Sequence, residues 1–274
     1  MRLRITILLI TSFLFIKAPL FANADTTLHL TPSTFIPGVY KDFFTDNFNN
    51  IFLVTNNNQV KKINDKGDSI AVFNDVRRYG NLYTLDVSNP LKILVYYKDF
   101  ATILILDRFL NIQNTIDLRQ SNILQATAVA HSYDNNYWVF DQLDNKIKKI
   151  DDNGNMLLET ADFRLLFSES VQPGRIIDNN GLLYLYDEHD GWYIFDYYGA
   201  YKLHIDAPGW KDVQVTGKYV TGHDSSMFYI ANAETFLSRS YKTNIDFAAT
   251  IKIYRIGNKA GFLETDGLHI FDIQ

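Results

Sequence analysis

The densest run of ionisable side chains in this sequence is Asp187-Glu188-His189-Asp190, followed by Gly191-Trp192. Consecutive carboxylates are oxygen donors of the kind that hold Ca²⁺. Neighbours in one tight turn point in different directions, however, and no EF-hand-like spacing accompanies them. The run reads as a solvated hairpin tip, and no metal site is assigned. Catalytic signatures are equally scarce. There is no Gly-x-Ser-x-Gly nucleophile elbow and no His-Glu-x-x-His metal pair. Cys is absent, which excludes a thiol nucleophile, thiolate metal sites and disulfides. No catalytic residue and no cofactor is assigned. What remains is a recognition set: Arg78, Arg119, Arg164, Trp210 and Lys242, with Glu188 and His189 from the acidic run. Aromatic and guanidinium groups in loops suit binding, because turn chemistry does not require them. Asp and Asn in the same loops have a simpler explanation, since turns favour them for backbone reasons.

The 274 residues carry 20 Phe, 17 Tyr and 3 Trp, a composition suited to strands. The net charge of −5 offers no basic excess to neutralise a phosphate backbone, so nucleic acid is not an expected partner. Residues 1–24 have the layout of a signal peptide. Arg2 and Arg4 are basic, Ile5 to Ile16 form an apolar stretch broken only by Thr and Ser, and Ala22-Asn23-Ala24 is an A-x-A cleavage site. An apolar stretch of about 12 residues is too short for a bilayer, which needs roughly 20. Cleavage after Ala24 is expected, leaving a mature chain without a membrane span, periplasmic or secreted, and monomeric.

A repeat of about 42 residues runs through residues 25–274. Asn49-Asn50-Ile51-Phe52-Leu53-Val54 and Val60-Lys61-Lys62-Ile63-Asn64-Asp65-Lys66-Gly67 return as Asn135-Asn136-Tyr137-Trp138-Val139-Phe140 and Ile147-Lys148-Lys149-Ile150-Asp151-Asp152-Asn153-Gly154. Strands ending in Ile-x-Asp/Asn occur at Ile63, Ile105, Ile150, Ile194, Ile230 and Ile270. The closing Asp or Asn is expected to start the next turn. Four short strands per repeat make a propeller blade, so the fold class is all-β, a six-bladed β-propeller. The sixth repeat stops at Gln274 without its outer strand. Thr27-Leu28-His29-Leu30-Thr31 is an isolated strand candidate, and it is expected to close the last blade and remove two exposed edges. His29 and His269 would then sit on paired strands of the last blade. Residues 161–171 are expected to contain a turn or two of helix.

With these units in hand, the chain resembles the six-bladed propellers of the NHL and TolB-like group, from Thr27 to Gln274. The resemblance implies architecture more than activity, because such rings serve as platforms, scaffolds and, in some branches, enzymes. The branch similar to gluconolactonases implies a metal in the central channel, held near the tops of the innermost strands. Here those entrances supply Asp42 and Asp212 and little else, too few for a catalytic cation. The leading expectation is a non-catalytic exported module that binds an envelope protein, peptide or glycan. The recognition set would lie on the face carrying the second-to-third-strand loops and the blade-to-blade connections. A metal-dependent, lactonase- or esterase-like hydrolase is the alternative.

Overall fold

The computed structural model describes residues 26–167, 170–235, 237–247 and 249–274. The expected signal peptide and its cleavage site lie outside the described residues. Among the described residues, no helix is long and apolar enough to cross a membrane.

The chain begins with β1 (Thr26–Leu28) and β2 (Leu30–Pro37). Blade 1 follows as β3 (Tyr40–Thr45), β4 (Ile51–Thr55), β5 (Val60–Ile63) and β6 (Ser69–Phe73). Blade 2 is β7 (Thr84–Asp86), β8 (Ile93–Tyr97), β9 (Thr102–Leu106) and β10 (Ile112–Asp117). Blade 3 is β11 (Ala126–His131), β12 (Tyr137–Asp141), β13 (Lys146–Ile150) and β14 (Met156–Glu159). Blade 4 is β15 (Arg175–Asn179), β16 (Leu182–Asp187), β17 (Gly191–Asp196) and β18 (Tyr201–Asp206). Blade 5 is β19 (Lys211–Thr216), β20 (Tyr219–His223), β21 (Phe228–Asn232) and β22 (Ser238–Thr243). Blade 6 is β23 (Lys252–Ile256), β24 (Lys259–Leu263) and β25 (Gly267–Ile273), completed by β2. The ring therefore has six blades, and the last is closed by an N-terminal strand.

Burial explains why the middle strands are continuous apolar runs. Ile93–Tyr97 and Thr102–Leu106 are buried at every position, because a blade packs against a neighbour on both faces. Outer strands such as Ser69–Phe73 and Met156–Glu159 face solvent and are mostly exposed. The core is accordingly divided into six apolar clusters, one at each seam between blades. The cluster between blades 5 and 6, built on Leu30, Phe247, Ile253, Ala260 and Phe262, has the fewest buried members.

Two expectations about the chain ends and repeats need correction. The closing strand is Leu30–Pro37, paired antiparallel with β25 from Leu30↔Ile273 to Pro37↔Gly267. Thr26–Leu28 instead pairs in parallel with β22 and adds a fifth strand to blade 5. His29 lies between the two strands, and His269 opposes Phe35, with ring centroids 4.5 Å apart. The hydrophobic pattern Leu28-x-Leu30 looks like one strand; the edge of blade 5 captures its first part before blade 6 takes the rest. The turn-starting residue also differs between repeats. Asp107, Asp196 and Asn232 sit at the third position and accept two backbone N–H bonds each. In blades 1 and 3 the same role falls one position earlier, to Asn64 and Asp151. The helical turn expected within 161–171 is α2, Phe163–Leu166, preceded along the chain by α1, Val76–Tyr79.

Candidate functional site

The first strands of the six blades line a central channel. Each leads into a loop on the face opposite the one expected to carry recognition, since strands in a blade alternate in direction. On that face the channel widens into a basin of about 910 Å³ with contributions from all six blades. Its rim is held by a hydrogen bond across every seam. Asn47 Nδ2 donates to Ser88 O (3.2 Å), and Asn89 Nδ2 to Asn135 Oδ1 (3.3 Å). Tyr133 N donates to Asp178 Oδ2 (3.2 Å), and Asn179 Nδ2 to Gly217 O (2.5 Å). Arg255 N donates to Gln214 Oε1 (3.4 Å), and Thr45 Oγ1 to Arg255 O (3.1 Å). Short amide side chains reach a neighbouring loop where a longer or apolar residue would leave backbone groups unpaired. The rim is thus organised before any ligand arrives.

Three carboxylates line the basin, and protein donors occupy all three. Asp46 accepts from Phe48 N, Asn50 N and Asn50 Nδ2. Asp86 accepts from Ser88 N (2.9 Å) and His131 N (2.7 Å). Asp178 accepts from Tyr133 N, Trp138 Nε1 (2.9 Å) and Tyr197 OH (2.6 Å). Despite its burial, Asp86 is held below the usual carboxylate range, with His131 and the Ser88 bonds outweighing desolvation. His131 is itself buried beside Tyr137, and desolvation pulls its imidazole below the ordinary value. Tyr133 and Tyr197 stack on one wall at 4.4 Å and 16°.

Deeper in the channel, Arg175 Nη1 of blade 4 donates to Thr84 Oγ1 of blade 2 (3.1 Å). Blades 2 and 4 are not neighbours, so this bond spans the channel. Beyond it Lys252 Nζ lies 3.8 Å from the Phe44 ring centroid and 2.5 Å from Asp42 Oδ1. Burial, with Arg175 adding repulsion, holds the Lys252 ammonium below its usual range against the pull of Asp42. Asp212 Oδ2 meets His223 Nε2 (2.8 Å) and accepts from Ile253 N (2.7 Å). The two strand-entrance carboxylates, too few in the sequence to hold a cation, instead hold blade 6 from either side: Asp42 from blade 1, Asp212 from blade 5.

The residues expected to form a recognition face do not converge. Arg119 and Arg164 are exposed, and each is folded back onto its own helical turn. Arg119 pairs with Asp117 (Nε–Oδ1 and Nη2–Oδ2 both 2.8 Å), and Arg164 with Asp162 (Nη2–Oδ2 2.6 Å). Both aspartates also accept the backbone N–H of their arginine. Asp117-Leu118-Arg119 and Asp162-Phe163-Arg164 are thus one motif, with Leu118 and Phe163 buried between the charges. Arg78 lies over Tyr79, 5.3 Å from the ring centroid. Trp210 is a core residue of the blade 4–5 seam, stacked on Tyr229 at 5.1 Å. Lys242 stands on β22, paired with Thr27, rather than in a blade connection. Glu188 and His189 are exposed at the tip of blade 4, where Asp187 closes the turn by accepting His189 N (2.9 Å). On the same face, Glu264, Asp266 and His269 bring their ligand atoms within 4.8 Å of one another. His269 Nε2 lies 2.9 Å from Asp266 and holds that carboxyl below its usual range.

Sequence reasoning missed the basin because its residues sit in first-to-second-strand loops of low charge. A signal did exist: Asn47, Asn49, Asn89, Asn135, Asn179 and Asn180 recur at the same phase of the repeat.

No protein-family model matches this chain, and no curated protein matches it in sequence. Solved structures share its architecture. A streptogramin B lyase is 14% identical with a TM-score of 0.59, over 85% of this chain and 78% of that one. Virginiamycin B lyase from Staphylococcus aureus is 14% identical with a TM-score of 0.59, over 91% and 96%. BamB from Moraxella catarrhalis is 13% identical with a TM-score of 0.51, over 84% and 81%. At these identities the likeness is one of fold. The propeller is common to all of them, while the narrower NHL or TolB-like grouping finds no matching family model.

Proposed function

We propose that this chain is an exported, non-catalytic binding module that captures an envelope protein, peptide or glycan in the channel basin. The observation that carries the reading is the state of the basin's carboxylates. Asp46, Asp86 and Asp178 each spend their oxygens on two or more protein donors. General acid–base work and cation binding would have to compete with these donors for the carboxylate lone pairs. A rim stapled at all six seams, by contrast, supports recognition, because a preorganised site loses little entropy on binding. The leader-like residues 1–24 support export, and BamB is a structural neighbour of similar fold.

The test is capture from a cell-envelope extract on immobilised mature chain. Ser88→Trp places an indole over the basin mouth from an exposed rim position. A second variant replaces Arg78, Arg119, Arg164 and Lys242 with alanine on the other side of the disc. Capture lost in the first and kept in the second supports the basin. The reverse result moves the site to the face expected from sequence. Turnover of a lactone or ester by the wild type, abolished by Ser88→Trp, refutes a non-catalytic role.

A further inference from the structure

The cations of the channel are not matched alike. Lys252 has Asp42. Arg175, at the inner end of the basin, has no ion-pair partner among the described residues. It donates to a neutral hydroxyl, Thr84 Oγ1 at 3.1 Å, stands 5.9 Å from the Phe44 ring centroid, and neighbours the phenol of Tyr254. Burial raises the Tyr254 phenol above its ordinary value, so that group stays un-ionised and supplies no negative charge. The acidic wall residue Asp86 accepts from His131 N and Ser88 N and forms no ion pair with Arg175. A guanidinium cannot shed its proton in a protein. A permanently charged guanidinium without an ion-pair carboxylate among the described residues therefore sits half-buried in the wall of a 910 Å³ basin.

A half-buried guanidinium that no carboxylate pairs directly retains donors for an incoming anion. We infer that Arg175 is an anion-recognition residue, and that the ligand enters the basin with a carboxylate foremost. The fork of the guanidinium suits a carboxylate in bidentate fashion, and the flanking Thr84 and Tyr254 hydroxyls can donate to the same oxygens. The Tyr133–Tyr197 pair would cover the ligand's less polar part nearer the rim. This inference rests on the basin being the binding site. The carboxylate has two chemical sources, a free small acid or the C-terminus of a peptide.

Calorimetric titration of the mature chain separates them. One arm compares glucuronate with glucose; the other compares a tripeptide bearing a free C-terminal carboxylate with its C-terminal amide. In at least one arm the acid is expected to bind about tenfold to a hundredfold more tightly than its neutral counterpart. Arg175→Gln should abolish that preference, and Arg175→Lys should retain part of it. Thermal melts of both variants check the fold, and the Gln variant keeps a donor for Thr84. The arm that discriminates identifies the source. Equal binding of acid and neutral probe, blocked by Ser88→Trp, overturns the role of Arg175 while leaving the basin as the site. A preference that survives Arg175→Gln overturns it too. Failure of every probe to bind more tightly than about 1 mM overturns the inference as stated. If envelope capture is also indifferent to Ser88→Trp, the basin itself is refuted.

Discussion

Replacing Asp42 with alanine should loosen the blade assembled from both ends of the chain. Asp42 on blade 1 pairs with Lys252, the first residue of β23 in blade 6, and the two side chains are 25% and 13% exposed. Breaking a buried ion pair by removing one partner costs about 3–5 kcal/mol, because the other charge is left without compensation. The partial exposure of Asp42 argues for the lower end, about 3 kcal/mol. For a domain of this size each kcal/mol shifts the melting temperature by roughly 2–4 °C, so the variant should melt roughly 6–12 °C below the wild type. The deficit should depend on pH in a defined direction. Lys252 is already held below its ordinary value, mainly by burial, and in the variant loses the pull of Asp42 and keeps only the weaker one of Asp212. The unfolded chain, titrating near 10.4, then binds a proton that the folded chain sheds. Stability of the variant rises as pH climbs through that interval, so its deficit shrinks from neutral pH toward about pH 10. The double variant Asp42→Ala/Lys252→Met should recover most of the loss, since no buried charge remains. Calorimetry across pH reads all three effects. A single variant that melts with the wild type, or a deficit indifferent to pH and to the Lys252 change, would refute the clamp.

Two further outcomes follow from the same geometry. A Cβ on Gly267 would stand 2.3 Å from Ile36 O and 3.0 Å from Pro37 Cα, both on the closing strand. Gly267→Ala should therefore cost about 2 kcal/mol or more. Gly67→Ala, at φ +90° in open space, should cost only about 1 kcal/mol of backbone strain; equal urea midpoints for the two would sink the argument. His131 is held neutral in the fold, chiefly by desolvation. Below about pH 6.5 the unfolded chain gains a proton that the folded one resists, so stability falls with acid. His131→Phe should flatten that fall, as read by urea midpoints taken between about pH 7.5 and pH 5. An unchanged slope would mean that other groups set it.

How much of this was legible in the chain differs between architecture and site. The blade count followed from Ile63, Ile105, Ile150, Ile194, Ile230 and Ile270, because each marks a strand followed by a turn. Local turn chemistry is carried by residues adjacent in sequence, and it survives without knowledge of the fold. The recognition set was chosen on residue type alone. Arg119 and Arg164 proved to be bound to aspartates two positions earlier, and Trp210 to be core. Those aspartates were in view, but whether a charge is spent depends on side-chain geometry.

The order of strands, the six repeats and the missing outer strand at Gln274 were determined by the sequence itself, through periodicities of two residues within strands and of one blade between them. Only the tertiary structure decided that Thr26–Leu28 joins blade 5 while Leu30–Pro37 closes blade 6, since competing edges of similar hydrogen-bonding capacity are distinguished by position in space. It alone also left Arg175 facing Thr84 across the channel. These two residues lie far apart in the chain and meet because the ring closes, and no local pattern records which charges a closed ring leaves without an ion-pair partner.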